Sequence, residues 1–241
     1  GGGGGGWAPQ DGPHPLEGVK NLDELPQPEP LRNLMAADDG TAHASASELQ
    51  PLVALFGEYV VRCLVSKVWA LREAALTKAR LRLKEFEAEH GAEALVAPYC
   101  TVLKMGVEDK IAQVYISTLD LLDECARAFG DAHVKRGTLC PPLEPTISAL
   151  TAKLGENQQR VREQAFDALL DLAHCRSVGP PHIAAMVLKR LGKKQTSHHK
   201  WRPIATRLML LKQLVDEFGL AKPGEKAGEG GHGGGGLTTE G

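Results

Sequence analysis

The sequence predicts an all-α protein, built as an α-solenoid of about four stacked helix pairs and flanked by disordered tails. Three observations predict this class. Hydrophobic residues make up 42% of the chain and aromatic residues only 5%, which favours helices packed through leucine, alanine and valine over an aromatic β core. The apolar residues recur at helical spacing, whereas alternating valine, isoleucine and threonine are scarce. A short motif also recurs at a period typical of two-helix repeats.

The two ends of the chain have compositions typical of disorder. Residues 1–44 combine a glycine run with prolines, acidic residues and few large apolar side chains, so ordering them would cost more entropy than burial returns. Residues 223–241 are about half glycine, which is typical of a flexible tail. One folded domain is therefore predicted over residues 45–222, between a disordered linker and a Gly-rich tail.

Helical spacing and local stop signals predict eight helices within this domain. Gly57 lies inside the first of them, where glycine costs about 1 kcal/mol relative to alanine. Pro141-Pro142 is expected at a helix start, where a missing N–H is harmless, and Gly106 is expected to end a helix in the left-handed conformation. The predicted helices span residues 46–65, 68–89, 92–105, 109–128, 141–153, 159–175, 180–191 and 200–219.

A short motif opens every second predicted helix. Its leading apolar position falls at Leu71, Ile111, Val161 and Trp201, at spacings of 40, 50 and 40 residues. Arginine follows in three of these four cases, and alanine stands four positions after the apolar residue in the same three. The apolar residue and the alanine share one helix face, and the small alanine lets neighbouring helices approach closely. The pattern resembles HEAT repeats, whose helix pairs stack because one pair alone cannot bury its apolar face.

The turns inside the helix pairs are predicted to lie along one narrow edge of the stack, where side chains point outward from a rigid base. Basic residues recur at or near these turns, at Lys67, Lys110, Arg160 and Lys200. Trp69 occupies a register position that is polar in the other repeats. Its equivalents are Asp109, Gln159 and His199. An exposed tryptophan suits an interface anchor. Trp201, by contrast, occupies the leading apolar position of the motif and is predicted to pack in the core.

Charge and hydropathy limit the possible partners. Residues 46–222 carry 25 Lys/Arg and 20 Asp/Glu, whereas the two tails carry 3 and 10. A mildly basic domain suits an acidic partner, but it lacks the strong basic stripe expected of a nucleic-acid binder. No apolar run approaches the roughly 18 residues needed to cross a bilayer, and no secretory signal is recognisable. No nucleic-acid or membrane partner is therefore predicted.

Signals for catalysis or metal binding are missing from the sequence. There is no phosphate-binding loop, nucleophile elbow or common zinc spacing, so no catalytic residue, metal or cofactor is predicted. The five cysteines include no CxxC pair. Small buried thiols in a reducing compartment are the expected state of such cysteines.

The stretch Ser66-Lys-Val-Trp69-Ala-Leu-Arg72-Glu-Ala-Ala-Leu76, with the helix that precedes it, resembles the first intra-repeat turn of TOG domains. The resemblance covers residues 46–220 and implies a non-catalytic module that docks on the αβ-tubulin heterodimer through the turn edge. Trp69 would insert at the contact, and basic turn residues would meet acidic tubulin surface. The implied contact residues are Lys67, Trp69, Asp109, Lys110, Gln158, Arg160, His199 and Lys200.

The resemblance also implies a location and further partners. A TOG-type module is expected in the cytoplasm on the cytoskeleton, at the cilium tip or centriole, as a monomer, with other ciliary-tip or centrosomal proteins as further partners. Two features depart from the family pattern. The chain has fewer predicted helix pairs than TOG domains commonly have, and Glu108 and Asp109 in the second turn would repel an acidic partner unless they meet its basic groups.

Other functions stay open at the level of sequence. A generic HEAT-repeat adaptor would bind a partner peptide or helix on a solenoid face, and would need an exposed apolar groove but no special role for Trp69. Weak binding of RNA or DNA through the basic edge would show strong salt dependence. An enzyme is the least favoured alternative, because no acid–base or nucleophile constellation stands out.

Overall fold

The computed structural model describes residues 12–31, 46–189 and 201–220. These residues form nine α-helices and no extended strand, which confirms the predicted all-α fold. A short 3-10 helix at Leu22–Glu24 comes first. The helices are α1 (Ala46–Phe56), α2 (Glu58–Leu64), α3 (Trp69–His90), α4 (Ala92–Val107), α5 (Ala112–Asp131), α6 (Arg136–Lys153), α7 (Gln159–His174), α8 (Pro180–Leu188) and α9 (Trp201–Phe218). None of these nine is both long enough and apolar enough to span a membrane.

The first predicted helix is two helices in the structure. Gly57 separates α1 from α2 with a φ of 83° and a ψ of 155°. Side chains of L-residues rarely tolerate such a positive φ, whereas glycine adopts it readily. Gly57 therefore redirects the chain, and the prediction of one continuous helix over residues 46–65 is wrong at this position.

The start of α6 also differs from the prediction. The helix begins at Arg136, so that Pro141, Pro142 and Pro145 all lie inside it. Prolines in a helix interior remove backbone hydrogen bonds and are unfavourable by propensity. Leu139, ahead of the prolines, is buried, and tertiary packing of this kind overrides local propensity.

The chain divides into two compact units after Cys125. In the first unit, α1 packs against α2 and α4, and α3 packs against the same two helices. An aromatic cluster lies among them, where the Phe56 ring meets Phe86 at 5.6 Å and Tyr99 at 5.3 Å between centroids. The buried Tyr99 hydroxyl donates to the carbonyl of Ala79 at 2.9 Å, so its burial leaves no orphaned donor.

In the second unit, α7 packs against α6, α8 and α9, and α8 packs against α6 and α9. Arg207 of α9 closes the end of α8, because its Nη1 donates to the carbonyls of Val187 at 3.0 Å and Lys189 at 2.9 Å. The last carbonyls of a helix have no partner within the helix, so a basic side chain there satisfies them.

Gly106 lies inside α4, and the prediction that it ends a helix is wrong. A Cβ at this position would lie 2.0 Å from Thr118 Oγ1 and 3.0 Å from Thr118 Cβ. Contacts this short do not occur between real side chains, so only glycine lets α4 and α5 approach so closely. This close approach lies next to the second intra-repeat turn, which it helps to position.

Residues 12–31 pack against α2 and α3 within the first unit, in contrast to the disorder predicted for the N-terminal tail. Leu16 is fully buried. Lys78 Nζ donates to the carbonyl of Glu17 at 2.6 Å, and the buried Arg62 donates to two further carbonyls of this stretch. Composition does not reveal contacts of this kind, because they use the main chain. The rest of that tail and the whole C-terminal tail lie outside the described residues.

Candidate partner-binding edge

The first intra-repeat turn joins α2 to α3 and presents exposed side chains. Lys67, Val68 and Trp69 are all exposed, and Trp69, the first residue of α3, exposes 45% of its surface. Ser66 Oγ accepts the N–H of Val68 at 3.1 Å, which fixes the entry into the helix. The register argument that predicts an exposed Trp69 therefore agrees with the structure.

Arg72 holds this turn from its inner side. Its Nη1 donates to the carbonyls of Ser66 at 2.8 Å and Lys67 at 3.2 Å. Its Nε and Nη2 form a bidentate ion pair with Asp109, at 2.7 and 3.0 Å. The paired side chains are only 13% and 6% exposed. Bidentate arginine–carboxylate pairs are among the stronger charge-assisted bonds, so one guanidinium links the first turn to the second.

Asp109 positions the second turn, and the exposed location that the sequence predicts for it is wrong. Besides pairing with Arg72, its Oδ1 accepts the N–H of Ile111 at 2.8 Å and so orders the start of α5. Its charge is neutralised inside the fold, which removes the predicted repulsion of an acidic partner at this residue. Glu108, Lys110 and Ile111 remain exposed beside it.

The third turn is held in the same way as the first. Arg162 Nη1 donates to the carbonyls of Glu156 and Asn157, each at 2.8 Å. These carbonyls stand six and five residues before the arginine, which are the offsets that Arg72 uses. The arginine of the repeated motif therefore has a physical role, because it satisfies the carbonyls of the turn that precedes its helix.

The core position predicted for Trp201 is wrong. Trp201 is the first residue of α9 and is 67% exposed, with the Arg202 guanidinium carbon 5.8 Å from its ring centroid. Arg202 Nη1 donates to Asn157 Oδ1 at 2.8 Å. A Cβ on Gly155 would lie 2.7 Å from Pro203 Cγ, so the third turn fits closely against the start of α9.

Helix α9 is oriented so that an apolar stripe faces solvent. Trp201, Ile204 and Leu208 recur at helical spacing on one face and are 67%, 43% and 60% exposed. The buried Leu210 and Leu214 lie on the opposite face. The leading residue of the motif therefore points outward in this repeat, whereas Leu71 in the first repeat is buried.

The predicted contact residues occur on the turns of both units. Those that are exposed are Lys67, Trp69, Lys110, Gln158 and Arg160. His199 and Lys200 lie outside the described residues. Sequence reasoning assigned no role to Arg72 and Arg162. The signal that could have identified them is the arginine that recurs one position after the leading apolar residue of the motif.

Four of the five cysteines are buried, and Cys175 is half-buried. Burial raises the pKa of the Cys63 thiol to about 12 and raises the pKa of Cys125 well above its ordinary value. A thiol held neutral in this way is a poor nucleophile. Across the three described ranges, no group of three His, Cys, Asp or Glu side chains is placed to hold a metal ion. The chemistry that the turns offer is contact through an indole ring, aliphatic groups and cations.

Known proteins resemble this chain in sequence and in fold. The family model described as the TOG domain of centrosomal protein CEP104 matches residues 46–227. A solved structure titled "CEP104 TOG domain" superposes with a TM-score of 0.64 at 20% identity, and covers 76% of this chain and 73% of that chain. The TOG domain of human Cep104 superposes with a TM-score of 0.66 at 18% identity, over 82% and 72%. These likenesses confirm the predicted HEAT-like helical solenoid.

One curated relative is human mitogen-activated protein kinase kinase kinase 1, which is 23% identical over 212 residues. The match covers 70% of this chain but only 14% of that protein. The chain therefore spans about a seventh of the length of this relative.

Proposed function

Because the chain belongs to the TOG-domain family of centrosomal protein CEP104, we propose that it is a tubulin-binding module that docks on the αβ-tubulin heterodimer through its intra-repeat turns. The observation that carries this proposal is the first turn, where the exposed Trp69 stands beside the exposed Lys67 on a backbone held by Arg72. Tryptophan is enriched among residues that dominate binding energy. The proposed role is binding, without catalysis, metal or cofactor.

The composition of the first two turns supports a protein-binding edge. Val68 and Ile111 are 41% and 39% exposed, and together with Trp69 they offer aliphatic and aromatic contact area. Lys67 and Lys110 are exposed in the same turns, as expected for the polar rim of an interface with an acidic partner. In the second unit, the exposed Gln158 and Arg160 offer the corresponding contacts of the third turn.

The way in which the first turn is held also supports docking there. Arg72 takes up two turn carbonyls, and its ion pair with Asp109 fixes the neighbouring turn. A turn that is already ordered loses little conformational entropy when it meets a partner, so more of the contact energy appears as affinity. We therefore assign Trp69 and Lys67 to direct contact, and Arg72 and Asp109 to positioning.

The cellular setting follows from the same proposal. A CEP104-type TOG domain is associated with the cytoskeleton or centrosome, and we place this module in the cytoplasm, at the cilium tip or centriole. Other ciliary-tip or centrosomal proteins would be further partners. We propose that the module acts as a monomer, with one copy on each tubulin heterodimer.

Size-exclusion chromatography of the full chain with purified tubulin at low salt tests the proposal. The wild-type chain should co-elute with tubulin, and the Trp69→Glu variant should not. Leu208→Glu is the matched control, because it also places a carboxylate at an exposed apolar position and should still co-elute. Circular dichroism checks that both variants stay helical. Equal co-elution of Trp69→Glu and wild type would reject docking through the first turn.

The exposed stripe on α9 favours a second candidate function, a HEAT-repeat adaptor that binds a partner peptide or helix on a solenoid face. Trp201, Ile204 and Leu208 would supply the apolar contacts that such a partner helix needs. The same two variants separate the candidates. Loss of tubulin binding in Leu208→Glu with retention in Trp69→Glu would move the interaction from the turn edge to this stripe.

A further inference from the structure

Residues 12–31, which we call the strap, lie against α2 and α3 and precede the part of the chain that the family model matches. The strap has local order of its own. His14 accepts two N–H groups, that of Leu16 at Nδ1 (3.0 Å) and that of Glu17 at its carbonyl (2.8 Å). A 3-10 turn follows at Leu22–Glu24, and three prolines between residues 26 and 30 then restrict the backbone.

Leu16 and Pro28 are the buried residues of the strap. Leu16 is fully buried, although the residues that follow it, Glu17 and Gly18, are exposed. Gly18 comes close to α3, because a Cβ built on it would lie 3.6 Å from Leu81 Cδ1. Its φ of 89° is one that other residues rarely adopt. The chain therefore turns sharply immediately after the buried Leu16.

Two cations of the helices bind the main chain of the strap. Arg62 of α2 is only 6% exposed; its Nε donates to the carbonyl of Glu29 at 2.8 Å and its Nη2 donates to the carbonyl of Pro28. Lys78 Nζ of α3 donates to the carbonyl of Glu17 at 2.6 Å. A guanidinium is costly to bury unless its N–H groups are bonded, so Arg62 suits this position when the strap is in place.

Tyr59 of α2 connects the two ends of the strap. Its ring meets the His14 ring edge-on, with centroids 5.2 Å apart. Its hydroxyl lies 3.4 Å from His14 Nε2 and also donates to Gln27 Oε1 at 3.4 Å. One side chain thus contacts residues near the beginning and near the end of the bound segment.

From these contacts we infer that the α2–α3 face is a peptide-binding surface, occupied in cis by residues 12–31 of the same chain. It recognises a proline-containing segment through main-chain carbonyls and through the buried side chains of Leu16 and Pro28. The strap covers part of the surface of α2 and α3. It also holds α2, a seven-residue helix that leads directly into the first turn. This inference does not depend on tubulin binding.

Hydrogen–deuterium exchange on the full chain tests the cis contact. The amides of Leu16, Val19 and Leu25 should exchange about tenfold or more slowly than in a free peptide of residues 12–31. Leu16→Asp should bring them to the free-peptide rate and leave the protection of α6 and α7 unchanged. Lys78→Met, a milder variant, should lower strap protection, whereas Lys84→Met, at an exposed lysine of the same helix, should not. Free-peptide exchange rates in the wild-type strap would overturn the inference.

A trans experiment tests whether the α2–α3 face binds a peptide added in solution. The full chain carrying Leu16→Asp, checked for helicity by circular dichroism, is titrated with a synthetic peptide of residues 12–31 while its NMR spectrum is followed. The titration should extend to about millimolar concentration, because a short tether supplies an effective concentration of that order. Saturable shifts in α2 and α3 are expected with the wild-type peptide and not with the Leu16→Asp peptide. Absence of saturable shifts, or equal shifts with both peptides, would refute the conclusion that the α2–α3 face binds peptides.

Discussion

Replacing Asp109 with alanine should remove the ion pair that links the first two turns and lower the free energy of unfolding of the first unit. Arg72 would lose a bidentate partner at 2.7 and 3.0 Å, and the N–H of Ile111 would lose its acceptor. Removing one partner of a buried ion pair costs about 3–5 kcal/mol. The lower end applies here, because Arg72 is 13% exposed and keeps two turn carbonyls. The lost helix-start bond is included in our figure of about 3 kcal/mol.

Urea unfolding followed by circular dichroism measures this loss as a change in the free energy of unfolding. Asp109→Asn keeps an acceptor for the Ile111 N–H but loses the charge, so we expect a smaller loss of about 2 kcal/mol. Glu108→Ala is the matched control. It removes an exposed carboxylate from the neighbouring position and should change the stability by no more than about 0.5 kcal/mol.

A double-mutant cycle with Arg72→Met isolates the pair itself. Residues in one ion-pair network show coupling energies of about 0.5–3 kcal/mol, and a bidentate, largely buried pair should lie in the upper half of that range. A coupling energy near zero, or a cost of Asp109→Ala no larger than that of Glu108→Ala, would refute the conclusion that this pair holds the two turns. Asp109→Ala should also weaken tubulin binding, because a turn that is less ordered loses more entropy on docking.

Three further predictions follow from other parts of the structure. Gly106→Ala should destabilise the chain to urea by about 1–3 kcal/mol, because its Cβ would meet Thr118, whereas Gly137→Ala, with open space around it, should be neutral or stabilising by up to about 1 kcal/mol; equal effects would contradict the close approach. The pKa of His14 is lowered from 6.5 by burial and by Lys78, with Asp23 acting in the opposite direction. The unfolded state therefore binds more protons than the folded state, so acid destabilises the folded strap. The strap should lose exchange protection, relative to the free peptide at the same pH, as the pH falls below 6.5. Once His14 is protonated, its Nδ1 can no longer accept the Leu16 N–H, and a strap that keeps full protection in acid would refute this role of His14. Iodoacetamide should alkylate the half-buried Cys175 before Cys63, whose pKa burial raises to about 12; mass spectrometry that finds Cys63 modified first would contradict this order.

The features predicted correctly from the sequence are those with local causes. The helical class follows from the spacing of apolar residues. The helix predicted to begin at residue 68 begins at Trp69, where the hydroxyl of Ser66 accepts the N–H of Val68. The exposure of Trp69 could be predicted because the repeats supply an internal comparison. Its register position is polar in the other repeats, and the equivalent Gln159 is also exposed, whereas the equivalent Asp109 is buried by its pairing with Arg72.

The features that the sequence did not predict depend on partners far along the chain. Asp109 is polar and stands in a turn, so exposure is its expected state, but its counter-ion Arg72 is 37 residues away. Residues 12–31 are held by Tyr59, Arg62 and Lys78, which stand 32 to 61 residues further along the chain than the strap residues they contact. Apolar content predicts whether a segment can fold alone. It does not predict the order of a segment whose main-chain carbonyls are bound by cations elsewhere in the chain.

The repeated motif shows how far internal comparison can be taken. Arginine at the second motif position holds turn carbonyls at the same offsets in the first and third repeats, through Arg72 and Arg162. The second repeat has Ala112 at this position, so its turn needs another support, and Asp109 provides it by ordering the start of α5 while pairing with Arg72. The departure of the second repeat from the motif is therefore compensated by its own Asp109, paired with Arg72 of the repeat before it. A residue that breaks the pattern in such a stack is best interpreted together with its neighbouring repeat.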